Sequence, residues 1–405
     1  METEKKNKRV LFLVPQPFLI YRGSPFRVKS AVSTLGELGY DVDLLVYHIG
    51  EDVQIKNVRI ARSFNVPFIS HVPIGFSWGK VLLDWLLFVK AAIQFKKEKY
   101  DVIHAVEETV FCARILSAIY GVPYVYDMHS RIPEQFGYNT KSKDHALVRF
   151  AEMFEAYYIK HASLVITVAD KITNLAKRIK PGVAAFTLED LPMTSTGEYS
   201  DADIASLRQE FGFAAQDRVI VYTGNLESYQ GIELLLRSFA LLYGDGSLPA
   251  VKLLLVGGLA GDAQAVKMKE LSHSLGLDKS VVFAGSRPPE QMGAFMALAD
   301  LLVSPRTEGC NTPLKVYSYM LSGKPCVATN IISHTQVMTE EYTFLADPQP
   351  QAFAQALKDC LTMIKDAPAE LERRTKLAKE VIESKFSPKE FTETMKIAYQ
   401  GLFNH

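Results

Sequence analysis

The sequence predicts an α/β chain of two doubly wound parallel-sheet domains facing a central cleft. Three observations lead there. At 405 residues the chain is too long for one ordinary core, because single cores stop growing before that size. Short apolar runs rich in β-branched and aromatic residues alternate with helix-patterned segments, the order that parallel sheets covered by helices require. Near residues 193–203 threonine, serine, glycine and aspartate replace the apolar rhythm, as a linker does.

The first run, residues 10–14, reads as a strand closed by Pro15. A loop containing Gly23 and Pro25 then enters a helix over 27–38, which Gly39 stops. Strands follow at 41–46, 101–104, 124–126 and 164–167, each with the brevity and composition of a buried parallel strand. Beyond the break, further strands are expected at 219–222, 252–256, 281–283, 301–303 and 326–328. The expected division is a first domain over 1–193, a linker over 194–203 and a second domain over 204–385. A last helix is expected within 386–405. No repeat of about 20 to 50 residues recurs, which excludes a solenoid.

Composition removes several functions. Lysine plus arginine number 45 and aspartate plus glutamate 45, so no global field recruits nucleic acid. Cys112, Cys310, Cys326 and Cys360 are scattered, without the spacing of a zinc site or disulfide scaffold. A polar amino end running straight into a strand has no signal-peptide pattern, and a cytoplasmic location is expected. The apolar stretch 81–89 is interrupted by Asp84 and falls short of the roughly 18 residues that a span needs. The helix over 80–97 reads first as core-facing. Trp78, Lys96 and Lys97 keep a second reading open, peripheral contact of residues 76–97 with the inner face of a membrane.

The most informative segment is SPRTEGCNTPLKVYSYMLSGKPCVA, residues 304–328. It follows a strand, and Thr312 as N-cap, Pro313 at the first helical position and Gly323 as the stop bound a helix. Such a helix turns free N–H groups to the carboxyl edge of the sheet, where open α/β sheets bind phosphates. Lys315, just after Leu314, sits in its first turn. A cation there opposes the helix dipole by a few tenths of a kcal/mol, so it calls for an anion or a path to solvent. Glu308, Asn311 and Thr312 crowd the same turn, as sugar ligands or as ordinary capping residues. A second glycine turn in VIVYTGNLESYQGIELLLRSF, with Gly224 and Gly231, and a third at Gly257 and Gly258 approach the same edge.

The stretches VYTGNLESYQGIELLL, VVFAGSRPPEQMGAFMALADLLVSPR and EGCNTPLKVYSYMLSGKPCVATN occur in the order and spacing of retaining glycosyltransferases of family 4, which this chain resembles over most of residues 8 to 400. The resemblance implies the GT-B fold, two Rossmann-like domains about a cleft, with the last helix, within 386–405, packing back on the first domain. It implies an enzyme that moves a sugar from a nucleoside diphosphate sugar to an acceptor hydroxyl, on a glycan, a lipid-linked carrier or a small molecule, with retention of configuration. No metal or other cofactor is implied. Donor-side positions carried over are Gly224, Asn225, Gln230, Gly257, Arg306, Asn311, Thr312, Pro313, Leu314, Lys315 and Ser318. On the acceptor side, YRGSPFRVKS matches the glycine loop with Arg22, Gly23 and Ser24, while YDVIHAVEE and GVPYVYDMHSRIPEQ supply Glu107 and Arg131. His129 matches the histidine that the family sets against the donor sugar, and Glu308 matches the first glutamate of its Glu-x7-Glu motif after a two-residue insertion.

The chain also departs from the pattern. Ser318 replaces the second glutamate, and Asn225 and Gln230 stand where the family has an arginine and a lysine that neutralise the diphosphate. Lys315 and Arg306 are the nearest replacements. These departures leave a noncatalytic sugar-nucleotide-binding subunit as an alternative, and the shared architecture leaves a sugar-nucleotide epimerase. Asp201 and Asp203 invite a metal reading, but their place ahead of a helix makes them capping residues.

Overall fold

The computed structural model describes residues 7–18, 23–69, 72, 77–133, 145–192, 199–244, 250–258, 262–309 and 311–403. The chain divides into two compact units, one of Met1–Asp190 with Pro388–His405 and one of Leu191–Ser387.

Unit 1 holds a seven-stranded sheet in the order β3-β2-β1-β4-β5-β6-β7. The strands are β1 (Arg9–Leu13), β2 (Asp41–Val46), β3 (Val58–Arg62), β4 (Val102–Val106), β5 (Tyr124–Met128), β6 (Leu164–Thr167) and β7 (Ala185–Thr187), all paired in parallel. The order reverses between β1 and β4, so the loops leaving those strands part and open a crevice at the carboxyl edge. Side chains alternate between the faces. Ile103, Ala105, Tyr124, Tyr126 and Met128 enter a core shared with Leu83, Leu87 and Ala91 of the helix Trp78–Lys97 and with Val110 and Ala113 of the helix Val110–Tyr120. His104 and Asp127 therefore point to the opposite face, where Tyr399 of the final helix Pro388–Phe403 meets His104.

Unit 2 repeats the plan with six parallel strands in the order β10-β9-β8-β11-β12-β13. These are β8 (Arg218–Thr223), β9 (Val251–Val256), β10 (Val281–Gly285), β11 (Leu301–Ser304), β12 (Cys326–Thr329) and β13 (Phe344–Ala346). Its reversal lies between β8 and β11. Two cores flank the sheet, one built on Phe239 and Phe353 and the other on Phe295 and Tyr317.

Several boundaries differ from the sequence expectation. The first helix starts at Gly23 rather than 27. Residues 201–203 are helix, not linker: the Ser200 hydroxyl accepts from the Asp203 N–H at 3.3 Å, and the Asp203 carboxylate accepts from the Ser200 N–H at 2.8 Å. This reciprocal cap starts the helix Asp201–Glu210 ahead of 204. Of the remaining linker, residues 194–198 lie outside the described residues. The edge strand β3 escaped the apolar pattern because it carries Arg59 and Arg62, which reach Asp43 and Asp52.

Helix Trp78–Lys97, capped by the Ser77 side chain, starts two residues ahead of its sequence reading and packs Leu83, Leu87 and Ala91 into the core, as the core-facing reading expects. Lys80 forms an ion pair with Glu108, and Asp84 accepts from the Tyr47 hydroxyl at 2.5 Å, so these polar positions face inward. No helix among the described residues is long and apolar enough to cross a membrane.

Candidate active site

In unit 2 the chain leaves β8 at Gly224 and β11 at Arg306, the two sides of the strand-order reversal. Gly224 takes φ 138° and Gly257 φ 127°. A Cβ on Gly257 would stand 1.9 Å from the Gly224 carbonyl oxygen, so the tips of β8 and β9 meet only because a side chain is absent there. Lys315 fills the space beside Gly224. Its Nζ donates to Gln230 Oε1 at 3.0 Å and lies 3.9 Å from the centre of the Tyr222 ring.

The helix carrying Lys315 is Leu314–Leu321. Pro313, with ψ 130°, is its N-cap and no side chain caps the end. Thr312 is buried and is not the cap, and Pro313 is not the first helical residue, because its extended ψ delays the helix by one position. First-turn N–H groups without a side-chain cap are the donors that bind anions.

Arg306 is buried. Its Nε donates to the Glu308 carbonyl at 2.5 Å, and its terminal nitrogens donate to the Asn311 carbonyl at 3.1 Å and to Asn311 Oδ1 at 3.3 Å. Gly309 packs against the guanidinium and holds φ 119°, a backbone conformation that favours glycine. Among the described residues neither Arg306 nor Lys315 pairs with a carboxylate. Burial, with Arg306 adding repulsion, holds the Lys315 ammonium well below the ordinary lysine range.

His334 was not singled out from the sequence, yet it braces this loop. Its Nδ1 donates to the Thr329 carbonyl at 2.9 Å and its Nε2 accepts from the Ser304 hydroxyl at 2.8 Å. Thr329 in turn donates to the carbonyl of Arg306. Burial pushes His334 down to about 3, so the ring is neutral.

The structure thus brings Gly224, Gln230 and Lys315 into direct contact and gathers Asn311 around Arg306. Asn225 turns its side chain to its own loop, Oδ1 accepting from the Glu227 N–H at 3.3 Å. Ser318 is buried in the helix, and Glu308 is exposed on the loop.

In unit 1, β5 delivers Asp127 and then His129. Asp127 Oδ2 accepts from His129 Nε2 at 3.2 Å and from His104 Nε2 at 3.1 Å, and Arg27 stands 3.5 Å from Oδ1. Burial alone would raise the Asp127 carboxyl, but His129, Arg27 and His104 together hold it well below the usual carboxylate range. A carboxylate only accepts, so both histidines carry hydrogen on Nε2. The Tyr399 hydroxyl then donates to His104 Nδ1 at 2.7 Å, and the Ser24 hydroxyl lies within hydrogen-bond distance of His129 Nδ1, at 3.0 Å. Burial lowers the His104 pKa, in keeping with a neutral ring.

Glu107 accepts from the Ser130 hydroxyl at 2.8 Å and holds φ 49°, a left-handed conformation uncommon outside glycine and found at ligand sites. Arg131 is committed elsewhere, donating through Nε and Nη2 to the buried Glu155 at 3.0 and 2.8 Å. Gly23 begins the first helix, and Arg22 lies outside the described residues. Sequence reasoning missed Asp127, His104, Arg27 and Tyr399. The available signal was polar residues inside the otherwise apolar strands VIHAV and YVYDM. Among the described residues no three His, Cys, Asp or Glu side chains form a metal-ligand cluster, and Asp203 is engaged in its helix cap.

Two family models match, one in each unit: Glycosyltransferase Family 4 over residues 22–182 and Glycosyl transferases group 1 over residues 217–363. D-inositol 3-phosphate glycosyltransferase of Corynebacterium urealyticum is 23% identical over 355 residues, covering 83% of this chain and 81% of the relative. Among solved structures, sucrose-phosphate synthase from Thermosynechococcus elongatus superposes with TM-score 0.79 at 20% identity, covering 98% of this chain and 100% of that one. The Anabaena protein HepE, solved in complex with UDP-glucose, gives TM-score 0.71 at 19% identity, covering 97% of this chain and 99% of that one. With a family 4 domain in unit 1, a group 1 domain in unit 2 and two Rossmann-like sheets, the chain is a glycosyltransferase of the group 1 and family 4 kind with the GT-B fold.

Proposed function

We propose that this glycosyltransferase uses a nucleoside diphosphate sugar, bound by unit 2, to glycosylate an acceptor hydroxyl, with retention of configuration and without a metal ion. The observation that carries the donor assignment is the pair Lys315 and Arg306, two cations enclosed at the strand-order reversal with no carboxylate partner. Burying an uncompensated cation is costly, and a diphosphate supplies the counter-charge. The uncapped first turn of Leu314–Leu321 adds N–H donors.

As the bond from the sugar to the nucleotide breaks, negative charge grows on the leaving diphosphate, and donors already in place stabilise it. Lys315 and Arg306 take the role that the family gives to the residues replaced here by Asn225 and Gln230. Gln230 orients Lys315 instead. His129, with its tautomer set by Asp127, is unit 1's contribution to sugar transfer, and Glu308 contributes from unit 2. Retention is inferred from the family likeness, and a uridine diphosphate sugar is the first donor to test because HepE was solved with one.

The test is to incubate the purified chain with a panel of nucleoside diphosphate hexoses and measure release of nucleoside diphosphate, with and without excess EDTA. Release with at least one donor, unaffected by EDTA, is expected. No release from any donor would support the noncatalytic alternative, and loss in EDTA restored by manganese would overturn the metal-free mechanism.

A further inference from the structure

We propose that unit 1 docks on an anionic lipid surface through the outer faces of three neighbouring helices, Trp78–Lys97, Val110–Tyr120 and His145–His161. Their inner faces build the core, while Trp78, Trp85, Ile119, Phe150 and Met153 project outward. Trp78 is 80% exposed and Trp85 56%, values unusual for the largest apolar side chain. The exposed residues belong to one surface. Phe88 meets Phe111 at 6.1 Å between ring centres, Phe95 stacks on Tyr120 at 4.8 Å, and Arg114 lies 5.6 Å from the Tyr157 ring. The three helices are thereby laced side by side.

Charge selects the partner. The chain as a whole is neutral, but these helices present Lys96, Lys97, Arg149 and Lys160 as exposed cations, with Lys90 and Arg114 half-buried. Their acidic residues are mostly withdrawn: Asp84 accepts from Tyr47, and Glu155 is buried against Arg131. Glu152 is left as their exposed carboxylate. Aromatic and aliphatic side chains ringed by cations suit the headgroup boundary of an anionic bilayer, where tryptophan prefers to lie. The inward turn of Asp84 removes from this face a carboxylate that would oppose an anionic surface.

The chain contains two tryptophans, Trp78 and Trp85, and both stand on this face, so intrinsic fluorescence reports on it directly. Full-length protein would be titrated with vesicles of phosphatidylcholine alone and of phosphatidylcholine with phosphatidylglycerol. The expected result is a blue shift and cosedimentation with the anionic vesicles, quenching by brominated lipid, and release at high salt. Replacing Lys96 and Lys97 by glutamine should weaken partitioning by roughly thirtyfold, and Trp85→Ser with Phe150→Ser should abolish it while donor hydrolysis persists. No shift with anionic vesicles at low salt would overturn the proposal. So would a concentration-dependent dimer that covers both tryptophans and is broken by Trp85→Ser, because the face would then belong to a second copy. The outcome is independent of the donor assignment, which is read by nucleotide release without vesicles.

Discussion

The Tyr399 hydroxyl stands 2.7 Å from Nδ1 of His104, and the other nitrogen of His104 reaches the carboxylate that holds His129. A residue near the end of the chain is thereby linked through two buried groups to the loop after β5. Tyr399→Phe keeps the ring and removes the donor. Leaving His104 Nδ1 unsatisfied should cost about 1 to 3 kcal/mol, read as a lower denaturant midpoint. If the chain of bonds positions His129, turnover per folded molecule falls as well, with nucleotide affinity unchanged. A stability loss with normal kcat would confine Tyr399 to a structural role.

His129→Ala separates the same two roles at the loop itself. Its imidazole is bonded on both sides, to Asp127 and to Ser24, so loss of the ring should lower stability. As a group that works on the transferred sugar, it should also lower turnover by about a hundredfold or more, equivalent to about 2.7 kcal/mol. Donor affinity, thermal midpoint and turnover measured on one preparation decide the matter. Normal turnover per folded molecule would refute the catalytic role.

Acid should destabilise unit 2 through His334. Its folded pKa of about 3 lies below the unfolded value of about 6.5, so the unfolded chain binds the proton first. The stability contributed by the neutral ring is present above about 6.5 and is lost as pH falls toward about 3, at up to about 1.4 kcal/mol per pH unit. Denaturant titrations across this window check it, and His334→Gln should flatten the slope. An unchanged slope would place His334 in water rather than in the bonds to Ser304 and Thr329.

Nucleoside diphosphate binding should take up a proton. Burial holds Lys315 well below an ordinary lysine, and a bound dianion favours the charged ammonium. Affinity should therefore fall as pH rises through the depressed pKa of the free protein. Calorimetry in two buffers of different ionisation enthalpy should register uptake in the wild type and less in Lys315→Met.

Much of this was legible in the residues. Apolar runs ending in Pro15, Gly224 and Ser304 marked three strands whose ends line the strand-order reversals, and the glycine turns placed Gly224 and Lys315 at one edge. What escaped was carried by tertiary partners. Asp84 interrupts the apolar stretch 81–89 in the sequence, but only the positions of Tyr47 and Glu108 show that Asp84 and Lys80 turn inward. Arg131 looked available until Glu155, folded in from a distant helix, claimed it. The buried chain from His129 to Tyr399 joins residues 270 positions apart, and no local pattern announces it. Thr312 resembled a cap because composition does not reveal the extended ψ of Pro313.

The most direct test of the donor site is calorimetric binding of a nucleoside diphosphate to the wild type and to Lys315→Met, a side chain of similar length without charge. The enclosed, unpaired ammonium predicts weakening by about 1.5 to 3 kcal/mol, the range for a charge-assisted hydrogen bond. Lys315→Met should also gain stability without ligand, since the cost of burying an amine without a counter-charge is removed. Equal affinity in the two proteins would contradict the account, because the diphosphate would then not be the anion that Lys315 awaits.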